Sequence, residues 1–315
     1  MGRLETTRRG LDHHYVGVSP QLLARVRQSW IAQRLDLDAV WRESIQTLPG
    51  YAELGVLPVF VDSRPIDLLL LFDQACCWVD AVRRAAAMLD GRAGGKLSSE
   101  QARGLVAVTS RLRDELAAVR TLALAGLAMP AMQISRSISE DVDLVLAIMV
   151  RRRLAQAFVE CRTPEDAAEF WRNHVAGGRA FRLVAQALYR FGLDYSEDSE
   201  YVRWRKEVLV FLGSAVHTSF VGAATIDAAV SAGPLNSAAQ ECLYFATIRV
   251  QEMCAYALVI GGDFKTDIAG VAPTDALSDS QLRFVRDGGE IIIDKMRWLT
   301  ESAETPHGRF GRPLH

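Results

Sequence analysis

The sequence predicts an all-α protein, a multi-helix bundle of about eight helices with extended N- and C-terminal arms. Three observations carry that reading. Apolar residues recur at steps of three and four: in "LVAVTSRLRDELAAVRTLAL", Leu105, Val108, Leu112, Leu116, Val119 and Leu122 share one helical face. Helix starts and stops are written out as caps, prolines and glycines. Alternating β-branched runs bounded by tight turns are nearly absent, which excludes a substantial sheet.

The first helix, over 19–47, opens with Ser19 as cap and Pro20 at the first helical position, where a missing N–H costs nothing. A second follows over 63–90 and stops at Gly91. Ser98 with Gln101 forms a capping-box pattern and opens the third, over 98–125. Pro130 interrupts what would otherwise be one very long helix and starts the fourth, over 130–161, the most apolar and therefore the expected centre of the bundle. Thr163-Pro164 opens the fifth, over 163–191, with Glu165 and Asp166 in its positive first turn; Gly177-Gly178 is a kink candidate and Gly192 a stop. Helices over 197–220, 236–260 and 278–302 complete the set. Capping patterns at Ser237 with Gln240 and at Ser278 with Gln281 mark two of these starts, and Gly261-Gly262 marks a stop. The domain reading is an N-terminal arm over 1–18, a helical hairpin over 19–97, the main bundle over 98–303 and a tail over 304–315.

Composition limits function. With 36 basic and 38 acidic residues the formal net charge is −2, so no global field attracts nucleic acid or an acidic membrane, although a local patch remains open. The five cysteines are odd in number and show no C-x-x-C spacing, so free thiols in a reducing cytoplasm are expected. No apolar leader stands at the N-terminus. Apolar runs such as "IDLLLLFDQACCWVDAV" are cut by Asp67, Asp73 and Asp80, so no membrane span is expected. No P-loop, nucleophile elbow or dinucleotide fingerprint is present, and His13, His14 and His174 lack ligand companions. No cofactor or metal is expected.

Three constellations could carry chemistry. In "QISRSISEDVDLVLAIMV", Arg136 and Glu140 stand four apart with Asp143 next along the face. They are either a surface ion pair or a site, and the apolar company argues that Arg136 and Glu140 are mostly buried and paired. His217, in "VLVFLGSAVHTSF", is either a satisfied core histidine or a titrating group near neutral pH. Arg249 and Glu252, inside an apolar helix, are either an internal ion pair or an anion site. Basic clusters occur at Arg151 to Arg153, at "RWRK" from Arg203 to Lys206, and at Arg172, Arg179, Arg182 and Arg190; most read as solvated faces.

The order of "RSISE" (136–140), "FWRN" (170–173) and "VHTS" (216–219) resembles a bacterial family, the domain of unknown function numbered fifty-six seventy-seven. The likeness covers roughly residues 102–223. It implies an all-helical bundle and places Arg136, Glu140 and His217 in one family site. More distantly the chain resembles the HEPN class of bacterial defence proteins, which includes metal-independent ribonucleases with an arginine four to six residues before a histidine. Here the nearest arginine upstream of His217 is Arg205, twelve residues away. Two functions follow as expectations. The favoured one is a helical, homo-oligomeric interaction protein of a bacterial stress or defence pathway. The alternative is a HEPN-like metal-independent ribonuclease or other hydrolase using Arg136, Glu140 and His217. A homo-oligomer is expected from wide apolar stripes and a protein partner is open. RNA is open but unsupported by net charge.

Overall fold

The second long helix is so apolar that nearly every side chain along it is buried, and its four buried polar residues dictate what surrounds it. The computed structural model describes residues 10–51, 57, 60, 62–92, 94–195, 199–216 and 233–301. Its helices in chain order are α1 (Leu11–His14), α2 (Pro20–Ala32), α3 (Leu37–Ile45), α4 (Arg64–Leu89), α5 (Ser99–Leu124), α6 (Ala128–Val150), α7 (Arg152–Glu160), α8 (Pro164–Phe170), α9 (Arg179–Tyr189), α10 (Glu200–Val216), α11 (Ser237–Ile260), α12 (Gly262–Ala269) and α13 (Asp279–Glu301). A π-helical turn, Trp171–Val175, and a short 3-10 turn, Ala176–Gly178, join α8 to α9. No β-strand occurs among the described residues; Thr274 and Leu277 form an isolated bridge. The all-α expectation holds.

Buried polar groups on α4 need partners, because an unpaired one costs more than it can return. Asp67 accepts from the Ser19 backbone N–H at 2.7 Å and so fixes the entry to α2. Asp73 accepts from the Tyr15 and Tyr51 hydroxyls at 2.6 and 2.5 Å and from Arg120 at 2.8 and 3.0 Å. Gln74 accepts from the Trp30 indole at 3.0 Å. Asp80 is held by Thr47, Arg83, Arg84 and Arg113. These bonds dock the N-terminal helices onto α4, and they draw residues 11–15 into the core, where Leu11 and Tyr15 are fully buried. The remainder of both terminal arms, 1–9 and 302–315, lies outside the described residues.

Helices α4, α5, α6 and α11 pack against one another as the central bundle, with α13 laid on α4 and α11. One continuous core runs through residues of both 19–97 and 98–303. As expected, α6 is central: it touches α5, α7, α9, α10 and α11. It ends at Val150, earlier than expected, because Arg151 is extended (φ −132°, ψ 94°). Gln101, from the first turn of α5, donates to the carbonyls of Ile148 and Met149 at 2.9 and 3.0 Å. It thus supplies partners to carbonyls that a helix end leaves orphaned. Gly104 on α5 sits close to Ile148 and keeps the two helices near each other.

Caps mostly follow the sequence. Ser98 and Gln101 make the reciprocal box, and Thr163 makes one with Asp166. At α11 the cap is Asn236, one residue before the expected Ser237, and accepts from the Ala239 N–H at 3.0 Å. Ser278 accepts from the Gln281 N–H, but the Gln281 amide reaches instead to Val40 and Ser44. The kink expected at Gly177-Gly178 is present: both take left-handed φ, 64° and 73°, which a side chain would oppose. Helix α11 is long and apolar enough to cross a membrane by length and composition, but it carries Arg249 and Glu252, and 72% of its most apolar stretch is buried inside the protein. It is a core helix on that count.

Candidate functional site on α6

Positions 136, 140 and 143 lie one helical turn apart on a single face of α6, and the structure treats them unequally. Asp143 goes deep. It receives Arg249 from α11 at 2.8 Å and Arg205 from α10, and all three residues are buried. Arg249 also pairs with Glu252, which accepts from the Tyr201 hydroxyl at 2.7 Å. The Arg205 guanidinium rests 4.0 Å from the Phe181 ring centre, a cation–π contact. Two arginines and two carboxylates balance, so the Arg249 and Glu252 cluster is neutral without a ligand and locks α6, α10 and α11 together. Arg205 belongs to one of the basic clusters of which most read as solvated faces; it is instead buried, and Asp143 is the reason.

Arg136 and Glu140 do not go deep. Their side chains are 35% and 30% exposed and their closest charged atoms are 3.8 Å apart. The expected pair forms, but its burial is only partial. The cause is what lies over them. Trp171, first residue of the π-helical turn, donates its indole N–H to Glu140 at 3.1 Å and is itself 44% exposed. Gly213 on α10 lies against Arg136: a Cβ there would sit 2.5 Å from Nη1. Gln133, a turn earlier, donates to the Ala215 carbonyl at 2.6 Å and ties α6 to the last turn of α10. The cover is thin, so the pair stays half in solvent. Single π-turns are found disproportionately at functional positions. His217 and Ser219 lie outside the described residues.

Next to Glu140, toward α5, is a group the spacing did not announce. Asp141 is buried, and burial pushes its carboxyl up to about 8. The Glu115 charge adds to the rise, Arg111 opposes it, and Glu140 adds again. Glu115 is raised too, chiefly by burial, although it accepts from Ser137 at 2.7 Å and pairs with Arg111 at 3.0 Å. Arg111 also donates to Ser137 and lies 3.4 Å from Asp141. Two carboxylates, Glu115 and Asp141, thus share Arg111, itself 61% exposed. No metal-holding group of three or more His, Cys, Asp or Glu occurs among the described residues.

The face therefore holds two of the sequence elements singled out above, "RSISE" and "FWRN", joined by the Trp171–Glu140 bond, and Val216, the first residue of the third, ends α10. No family model, curated protein or solved structure matches the chain.

Proposed function

We propose that the protein is a self-associating helical interaction protein of a bacterial stress or defence pathway, working in the cytoplasm, and that the Arg136–Glu140–Trp171 face of α6 is its contact surface. One observation carries this reading. The deep charge cluster around Asp73 closes on itself and the one around Asp143 balances in charge, whereas the Arg136–Glu140 pair is loose, half-exposed and bordered by an exposed indole. Fully paired buried charges serve the fold; a half-open pair of opposite sign keeps bonding capacity for a second molecule. Because one patch carries both signs, it is self-complementary about a twofold axis, with Arg136 of one copy facing Glu140 of the other. The pathway rests on the more distant resemblance to the HEPN class of bacterial defence proteins. The test is molar mass by light scattering at micromolar concentration. The wild type should be a dimer or larger, and Trp171→Ala and Arg136→Ala should shift toward monomer while keeping their helical circular dichroism. A monomeric wild type would refute the reading.

A metal-independent ribonuclease or other hydrolase using Arg136, Glu140 and His217 is the second reading. Asp141 favours it, as a carboxyl that keeps its proton to about pH 8 beside Glu140. Cleavage of RNA in chelator by the wild type, abolished in Arg136→Ala and His217→Ala, would establish it. Intact RNA would remove it.

A further inference from the structure

From Trp171 to Leu193 the chain carries four arginines and not one acid. The fold sets this stretch out in order. Helix α9 buries Ala180, Phe181, Val184 and Leu188 and exposes Arg179, Arg182, Gln186 and Tyr189; Arg190 and Phe191 follow, also exposed. Residues 179, 182, 186 and 190 fall three or four apart, so they form a single stripe along the helix, about 17 Å long at 1.5 Å per residue. Arg172 is tied to its head, because Arg179 Nη1 donates to the Arg172 and Ala176 carbonyls at 2.7 and 2.8 Å. Arg182 Nη1 donates to the Gly177 carbonyl at 3.2 Å. These bonds seat the two guanidinium groups on the turn and use Nη1. At the far end of the stripe Tyr189 and Phe191 are 68% and 61% exposed. The acids bounding the stretch in sequence are Glu169 and Asp194.

We infer that this exposed face of α9 docks single-stranded nucleic acid. A row of cations at helical-turn spacing fits a polymer with a regular run of negative charge. Two exposed rings at its end fit unpaired bases, which stack on aromatic faces without regard to sequence. The Gln186 amide within the stripe can donate to and accept from a base edge. An anionic membrane fits less well, because the apolar face that an interfacial helix would insert is already buried against the bundle. The net charge of −2 is no obstacle, since the field that matters is local and the stretch itself carries no acid. This inference is independent of both readings of the α6 face, for it concerns binding alone and uses none of their residues.

The experiment is fluorescence anisotropy of the full chain with labelled single strands of about 20 nucleotides, RNA and DNA, at about 50 to 200 mM salt. Binding to either strand, weakening with salt at a log–log slope of about −2, is the expected result for three arginine contacts. Arg182→Ala with Arg190→Ala should flatten that slope by about 1.4. Tyr189→Ala with Phe191→Ala should weaken binding about thirtyfold or more with the slope unchanged. The aromatic pair has no role in the turn, so it keeps the test open if the arginine variant misfolds. Arg152→Ala with Arg153→Ala, from a basic cluster elsewhere, should change little. No binding to either strand, or equal losses in the Arg152/Arg153 control, would overturn the inference. So would sedimentation with phosphatidylserine vesicles in the absence of oligonucleotide binding.

Discussion

Asp141→Asn separates a proton-holding carboxyl from an ordinary one. The carboxyl is raised from 3.8 to about 8, first by burial and then by Glu115 and Glu140. The sign follows from linkage. A carboxyl raised on folding binds its proton more tightly in the folded state, so between the unfolded and folded values the folded chain holds more protons. Stability therefore falls as pH rises through that window, by at most about 1.4 kcal/mol per pH unit. A 315-residue chain has an unfolding entropy of about 0.7 kcal/mol/K near its midpoint, so each unit corresponds to about 2 °C in Tm. Asparagine copies the shape of the protonated acid and cannot ionise. From pH 5 to pH 7 the wild type should thus lose about 4 °C relative to Asp141→Asn, read by thermal circular dichroism in matched buffers. Parallel curves for the two proteins would refute the reasoning, because an acid with an ordinary affinity is ionised in both states across that range.

Asp73→Ala strands the buried Arg120 and the hydroxyls of Tyr15 and Tyr51, and should cost about 3–5 kcal/mol, seen as a fall of several degrees in Tm. Glu140→Ala removes a 3.8 Å, half-exposed pair and one indole bond, and should cost about 1 kcal/mol or less in the same melt. Gln101→Ala loses the bonds to Ile148 and Met149 together with its half of the Ser98 box, at about 1–2 kcal/mol; amide exchange should quicken around Arg151–Leu154 rather than across the whole chain.

Most helices were legible because their signals are local. Ser19, Ser98 and Thr163 cap where they stand, and glycine at 177 and 178 turns the chain where only glycine turns easily. The misses are long-range. The helix over 19–47 divides because Arg34 takes a left-handed φ of 55° and Asp36 caps a new start through the Ala39 N–H. Arginine gives no warning of that conformation. The end of α6 is held by Gln101, forty-seven residues from the Ile148 carbonyl it bonds. The candidate site divides in the same way. Arg136 and Glu140 declared themselves by spacing, but which of three acids on α6 would be buried did not. Burial at Asp143 is set by Arg205 and Arg249 on other helices, and the proton affinity of Asp141 by Glu115 and Arg111 on α5. Trp171 was visible only as part of the "FWRN" resemblance; its bond to Glu140 needs the π-helical turn that no pattern foretold.

The claim that the Arg136–Glu140 face joins two copies of the chain is tested most directly by mixing charge-reversed variants. Arg136→Glu makes the patch wholly acidic and Glu140→Arg makes it wholly basic, so each alone should repel its copy and sediment as a monomer. Mixed in equal amounts they should form a heterodimer of twice the monomer mass by light scattering, because each patch then meets its opposite. A pair that matters only within one chain gives no reason for recovery on mixing. Variants that stay monomeric when mixed, or that associate as the wild type does when alone, would contradict the account.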